Sequence, residues 1–308
     1  LNYLITIIGP TGIGKTALSI KLANLYNCSI ISCDSRQFFK EMTIGTAVPN
    51  NKELLAAEHH FIQNKSIFDS YNVGDFEREA IYTLKGLFAK NSIQILVGGS
   101  GLYVDALLYG LDSFPKVSKE TRELLQAEFS QQGISFLQEK LKSLDSEYYL
   151  FLEKTNPQTL KNPQRLMRFV EVCLESGKPY STFINQPKKQ RNFIPILVGL
   201  QAEREIIYDR INQRVNNMFE NGLEAEAKNL VLHKDLNAMQ TVGYKELFEF
   251  FEGKTTRNFA IEEIKKNTRR FAKRQITWFK RNLLTKWFSW NTNVLEIKKH
   301  IDSMLQDH

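Results

Sequence analysis

Tyr3-Leu-Ile-Thr-Ile-Ile-Gly-Pro-Thr-Gly-Ile-Gly-Lys-Thr16 is the stretch that decides the fold. Its first six residues form an apolar, strand-like run, and residues 9–16 fit the pattern GxxxxGK[ST] and open onto a helical stretch, 15–26. Strand, glycine-rich loop and helix in that order aim successive backbone N–H groups and a helix N-terminus at one anion. Gly9, Gly12 and Gly14 permit backbone conformations and a close approach that side chains would block. Pro10, Thr11 and Ile13 complete the phosphate-binding loop. Lys15 is placed to reach outer phosphate oxygens, and Thr16 to offer its hydroxyl to Mg2+. The loop alone leaves open whether an ATP-using kinase or a diphosphate-releasing transferase is built around it.

Outward from this loop, the first hundred residues keep alternating buried-strand and helical patterns, as a parallel sheet with crossover helices requires. Strands are expected at 29–32 and 94–97, with a short one at 60–62. A helix should follow Gly98-Gly99-Ser100-Gly101, with Leu102, Ala106 and Leu107 on one face. From about residue 113 to 190 the strands give way to helix-forming segments at 119–130, 134–143, 146–152 and 163–176. A buried strand returns at 193–200, and beyond it the chain reads as helical to the end. The expected fold is therefore α/β, a P-loop NTPase-like parallel sheet flanked by helices. Residues 1–112 and 191–308 form that core with its C-terminal helices, and 113–190 form a helical insertion.

With 42% hydrophobic and 11% aromatic residues the 308-residue chain can build a sizeable core. No apolar run approaches the roughly 20 residues of a membrane helix, and no secretory leader is expected ahead of the first strand. Cys28, Cys33 and Cys173 make neither a CxxC pattern nor an even disulfide set, which fits a reducing cytoplasm.

Charge is unevenly placed. Between residues 264 and 287 stand nine Lys or Arg and no Asp or Glu, and removing those nine from the net +7 leaves −2 on the rest. Lys265, Arg269 and Lys273 repeat at i, i+4, as do Lys266, Arg270 and Arg274 one step round. Phe271 and Trp278, seven apart, mark another face. This reads as an amphipathic helix with aromatics in the core and cations presented to a polyanion such as RNA. Adjacent His59 and His60 would point to opposite sides of a strand and make a poor metal pair. The runs Phe38-Phe39 and 248–251 read as core.

P-loop ATPases usually carry an acid after a later strand. Here the 93–97 strand ends in Gly98-Gly99-Ser100-Gly101, and the first candidate acid is Asp34, after the second strand. Strand ends at the carboxyl edge of a parallel sheet face the ligand crevice, so Asp34, Ser35 and Ser100 should converge near the loop. A carboxylate there could orient a metal or accept a proton from a nucleophile.

Several segments together resemble the tRNA dimethylallyltransferases, also called tRNA isopentenyltransferases, over nearly the whole chain. They are the opening GPT, SIISCDSRQ (29–37), IGTAVP (44–49), HHFI (59–62), VGGSGLY (97–103), NPQRLMRFVEV (162–172), RINQRVNNMFENGLEAEA (210–227), TVGYKE (241–246) and RRFAKRQITWFKR (269–281). The resemblance implies transfer of a dimethylallyl group from dimethylallyl diphosphate to N6 of the adenine beside the tRNA anticodon, with the insertion gripping the anticodon stem-loop. Residues 11–16 then hold the donor diphosphate, Asp34 is the general base, and Asp34, Ser35, Arg36 and Gln37 contact the tRNA. Gln164, Arg165, Leu166, Met167 and Arg168 match a second tRNA-contacting segment. Ser100 and Arg122 are single positions that influence substrate, and Arg214 is a donor-binding arginine. Lys266, Arg269, Arg270, Lys273 and Arg274 of the basic helix join the RNA surface. The sequence departs from the family at Ser100, where Thr is common, and at Phe38-Phe39, where Val-Tyr is usual. A monomer would suffice. The competing expectations are a small-molecule P-loop kinase and a non-catalytic RNA-binding protein switched by nucleotide.

Overall fold

The computed structural model describes residues 1–184 and 186–306. Every residue of strand β1 (Tyr3–Ile8) is buried, with residues 3, 5 and 7 facing one apolar cluster and residues 4 and 8 the other. Such two-sided burial suits a central strand of a parallel sheet. Around it stand β2 (Ile30–Ser32), β3 (His59–His60), β4 (Ile93–Val97), β5 (Ile194–Gln201) and β6 (Lys286–Ser289). The order is β3-β2-β4-β1-β5-β6, and every pairing is parallel. Ile5 is opposite Ile95 on one side and Ile196 on the other.

The helices in chain order are α1 (Lys15–Tyr26), α2 (Asn51–Ala56), α3 (Val73–Phe88), α4 (Gly101–Tyr109), α5 (Lys119–Leu144), α6 (Ser146–Thr155), α7 (Pro163–Ser176), α8 (Arg204–Glu220), α9 (Leu223–Leu230), α10 (Tyr244–Phe251), α11 (Arg257–Phe279) and α12 (Val294–Gln306). Leu18 and Leu22 of α1, Ile207 and Ile211 of α8, and Ile297 and Ile301 of α12 cover one face of the sheet. Phe76, Ala80 and Leu84 of α3 with Val104 and Leu107 of α4 cover the other. A further cluster joins Phe39 and Met42 to α8, α9, α10 and α11 through Val215, Leu223, Tyr244, Leu247 and Ile264. Phe38 is fully buried and Phe248 buried, as core residues should be.

Several elements differ from the sequence reading. Helix α3 was not anticipated, although Asn72 and Asp75 form a capping box ahead of Phe76, Ala80, Leu84 and Leu87, a legible helical start and period. The 60–62 strand lies instead at β3, because Phe61 and Gln63 adopt φ of +63° and +48°, which leaves the extended region. Leu102 is exposed, and α4 buries Val104, Ala106, Leu107 and Leu108. The segments 119–130 and 134–143 run together as α5, broken at Gly133 with φ +72° and ψ −163°. The largest correction is β6, since the chain beyond β5 is not helical throughout. Only Phe288 of its four residues is buried, so no run of alternation announces it. It forms because the outer edge of β5 is free to pair, and because Gly199 leaves room for the Trp287 ring, which a Cβ there would meet at 2.5 Å.

The chain forms two compact units, Leu1–Gly110 with Gln190–His308, and Leu111–Lys189. These boundaries stand within two residues of the expected ones. The second unit is helical and has its own core, including Leu125, Leu137, Leu141, Leu166 and Val170. Among the described residues no helix is long and apolar enough to cross a membrane.

Candidate active site

Between β1 and α1 the phosphate loop takes φ of +146° at Gly9, +80° at Gly12 and +106° at Gly14. At Gly9 a Cβ would also lie 2.7 Å from the carbonyl oxygen of Leu200, so space and conformation both demand glycine. Gly14 is the N-cap of α1, and among the described residues no side chain caps this helix. Its first-turn N–H groups therefore have no protein side chain competing with an anion. Lys15 Nζ donates to the carbonyls of Gly9 (2.9 Å) and Pro10 (2.8 Å). Burial pulls its pKa down to about 8, the Asp34 carboxylate works against that, and the Arg214 guanidinium adds to it. Thr16 is half-buried, and its hydroxyl makes no hydrogen bond among the described residues. The Ile13 side chain is buried in the core, so only its backbone can serve a ligand.

These groups open on a crevice of about 960 Å³ lined also by Asp34, Gln37, Arg210, Arg214 and Gln275, with Ile44, Val48 and Met218 on an apolar wall. Asp34 lines the crevice, its Oδ1 accepts the N–H of Arg36 at 3.1 Å in a turn contact, and among the described residues no hydrogen bond reaches its Oδ2. The end of β4 brings Gly98 and Gly99 to the same wall and no carboxylate. Arg214 is half-buried and makes no hydrogen bond or ion pair among the described residues. Burial lowers its pKa, and Asp34 opposes that shift.

Other residues singled out in sequence are engaged in bracing. Ser100 Oγ accepts the Ser35 N–H (3.1 Å) and its hydroxyl donates to Ser35 Oγ (3.1 Å), and neither serine lines the crevice. Arg36 Nη1 donates to the carbonyls of Asn237 (3.2 Å) and Ala238 (3.4 Å). Gln37 Nε2 donates to those of Thr46 and Ala47. Both side chains thus tie loops around the crevice, and only Gln37 also lines it.

Three further residues build the site without having been singled out individually. Gln275, buried on α11, accepts the N–H of Thr11 (2.8 Å) and donates to the Gly99 carbonyl (2.9 Å), joining the phosphate loop to the end of β4. Arg210 Nε donates to the Gly12 carbonyl at 2.7 Å. The Glu226 carboxylate accepts the N–H groups of Thr43, Ile44 and Gly45 and the hydroxyl of Tyr244, fixing the loop that carries the apolar wall. All lie within the quoted family-like segments, which was the available signal.

The basic helix is less uniformly exposed than its sequence suggests. Lys265 and Lys266 pair with Glu262 and Glu263, one turn earlier and just outside the acid-free window. Arg269 is half-buried, bonded to Asn212 Oδ1 at 2.8 Å. Arg270, Lys273 and Arg274 remain exposed. Phe271 is not in the core but exposed, with the Arg274 guanidinium 5.7 Å from its ring centre. Trp278 is half-buried and donates to Asp105 Oδ2.

In the second unit Gln164 and Arg165 are exposed at the start of α7, and Met167 and Arg168 are half-buried. Leu166 is fully buried. An RNA contact by its side chain is therefore corrected to a core role, because the helical period turns it inward. Arg122 and Arg168 flank buried Glu171, at 3.0 and 3.9 Å. His59 Nδ1 lies 2.8 Å from the Ala57 carbonyl, and among the described residues no cluster of three or more His, Cys, Asp or Glu could hold a metal.

A sequence profile of the family described as IPP transferase matches residues 37–282. The chain is 64% identical over 306 residues to the tRNA dimethylallyltransferase of Flavobacterium psychrophilum, covering 99% of this chain and 100% of that protein. It is 57% identical to that of Christiangramia forsetii, covering 99% of each. Among solved structures it resembles the full-length tRNA isopentenylpyrophosphate transferase of Bacillus halodurans (TM-score 0.71, 32% identity, 100% of both chains). It also resembles a eukaryotic dimethylallyltransferase acting on tRNA (TM-score 0.78, 25% identity, 94% of this chain and 74% of that one).

Proposed function

The chain belongs to the IPP transferase family, and from that premise we propose that it transfers the dimethylallyl group of dimethylallyl diphosphate to N6 of the adenine adjacent to the anticodon in tRNA, releasing diphosphate. The observation that carries this reading is the make-up of the crevice. A phosphate loop and three cations, Lys15, Arg210 and Arg214, share it with Asp34, two residues past the end of β2, while the end of β4 supplies no acid of the kind an ATPase uses.

Adenine N6 is a weak nucleophile because its lone pair is delocalised, so rate must come from positioning and from stabilising the departing charge. As the C–O bond to diphosphate breaks, its electron pair leaves with the diphosphate. Lys15, the loop amides and Arg214 meet the growing negative charge. The N6 lone pair forms the new C–N bond, and the Asp34 carboxylate takes the N6 proton. A carboxylate suffices because N6 becomes acidic only as positive charge develops on it. Ser100 acts on the acceptor side through Ser35.

Mg2+ suits the oxygen donors present. The Thr16 hydroxyl, without a hydrogen bond among the described residues, shares the crevice with Asp34, and a metal held largely by substrate phosphates needs few protein ligands. When bound, the ion neutralises part of the diphosphate charge. RNA is held by Arg36 and Gln37, by Arg122 and the exposed members of 164–168, and by Arg269 with the exposed cations of α11. The enzyme acts as a monomer in the cytoplasm. The test is mass spectrometry of nucleosides from tRNA incubated with enzyme and dimethylallyl diphosphate. Prenylated adenosine is expected, with kcat falling about a hundredfold to a thousandfold in Asp34→Asn. Folded protein that leaves its own organism's tRNA unmodified overturns the reading.

A further inference from the structure

Arg210 is tied at two points. Its Nε is spent on the Gly12 carbonyl, and its guanidinium lies over the indole of Trp290, 4.6 Å from the ring centre. Trp290 immediately follows β6, and its backbone N–H donates to the Gln201 carbonyl at 2.9 Å, which anchors the backbone that carries the indole to the end of β5. Arg210 makes no ion pair among the described residues. Its Nη2 lies 3.9 Å from where a Cβ on Gly14 would stand, beside the uncapped start of α1.

A guanidinium is a planar fork that stacks on aromatic faces and binds phosphate oxygens through paired N–H groups. With Nε committed and the guanidinium carbon held over an indole, the terminal N–H groups of Arg210 are restrained beside the loop. Arg214 follows at i+4 on α8, so both arginines share one helix face and one crevice. A diphosphate carries charge and acceptor oxygens on two phosphorus centres, so a third cationic side chain beside Lys15 and Arg214 has phosphate oxygens to meet. We propose that Arg210 is a second arginine for the donor's diphosphate, and that Trp290 is the positioning residue that holds it there. This rests on reading the crevice as the donor site. Trp290 lies beyond residue 282, where the match to the family profile ends.

The experiment is calorimetric titration with inorganic diphosphate in Mg2+ buffer, alongside steady-state kinetics with dimethylallyl diphosphate and tRNA. Arg210→Met is expected to weaken diphosphate binding about tenfold and raise the donor KM in step, with the tRNA KM within about twofold of wild type. Trp290→Leu should lose about threefold or more, and Trp290→Phe, which keeps a ring, should stay within about twofold. Wild-type affinity for inorganic diphosphate in either Arg210→Met or Trp290→Leu, at an unchanged melting temperature, overturns the proposal. Should Arg210→Met not fold, the contrast between leucine and phenylalanine at 290 decides it. The titration contains no acceptor, so a wild-type protein that binds diphosphate but modifies no tRNA refutes the reaction alone.

Discussion

Lys15 shows what a phosphate loop costs its own protein. Its pKa falls from the ordinary 10.5 to about 8 because burial disfavours the ammonium. Between those values the unfolded chain binds more protons than the folded one, so this residue makes stability rise with pH across the window. Denaturation of wild type and Lys15→Met from about pH 7 to pH 10 should move in favour of wild type as pH increases. The donor kcat/KM should fall over the same range, with an apparent pKa of about 8, since only the ammonium meets phosphate. A flat alkaline limb would remove Lys15 from that role. Asp34 and Lys15 were legible because each sits at a fixed place in a local motif. Ser100 was legible only as a position. That its hydroxyl is bonded to Ser35 depends on the distance between the ends of β2 and β4, which sequence does not specify.

Helix α11 divides its labour by face. Gln275 points inward to clamp the phosphate loop, while Arg270, Lys273 and Arg274 point outward. Replacing those three with Gln should weaken tRNA binding and make log Kd less steep in log salt, because fewer phosphate contacts release fewer counterions. The same change at Lys265 and Lys266 should alter the slope much less, since Glu262 and Glu263 already neutralise them. Salt titrations of the two variants separate these outcomes, and equal slopes would place the RNA elsewhere. The acids were within one turn and readable. The exposure of Phe271 was not, because helical period assigns a residue to a face but does not say which face a neighbouring element covers.

At the scale of the whole chain, the second unit has a core of its own, and Leu166 stands fully buried within it. Leu166→Ala should cost that unit about 2–5 kcal/mol, seen as lost amide protection over 119–176 while β1 keeps its own. Affinity for inorganic diphosphate should change less than about twofold, because every residue lining the crevice belongs to the other unit. A parallel loss of protection in β1 would show that the two fold as one.

What the sequence determined by itself is the segment from Tyr3 to Thr16 and the helix beyond it. Strand, glycine turns and helix start are contiguous there, so local apolar pattern and backbone freedom suffice. The helical character of α7 and the break in strands between β4 and β5 were settled in the same way. Tertiary structure alone decided which side chains complete the loop. Gln275 reaches Thr11 across 264 residues and Arg210 reaches Gly12 across 198. It also decided β6, four residues whose strand character comes from the open edge of β5 and from the absence of a side chain at Gly199. Contacts of that kind depend on how distant segments pack, and no local pattern in the chain encodes them.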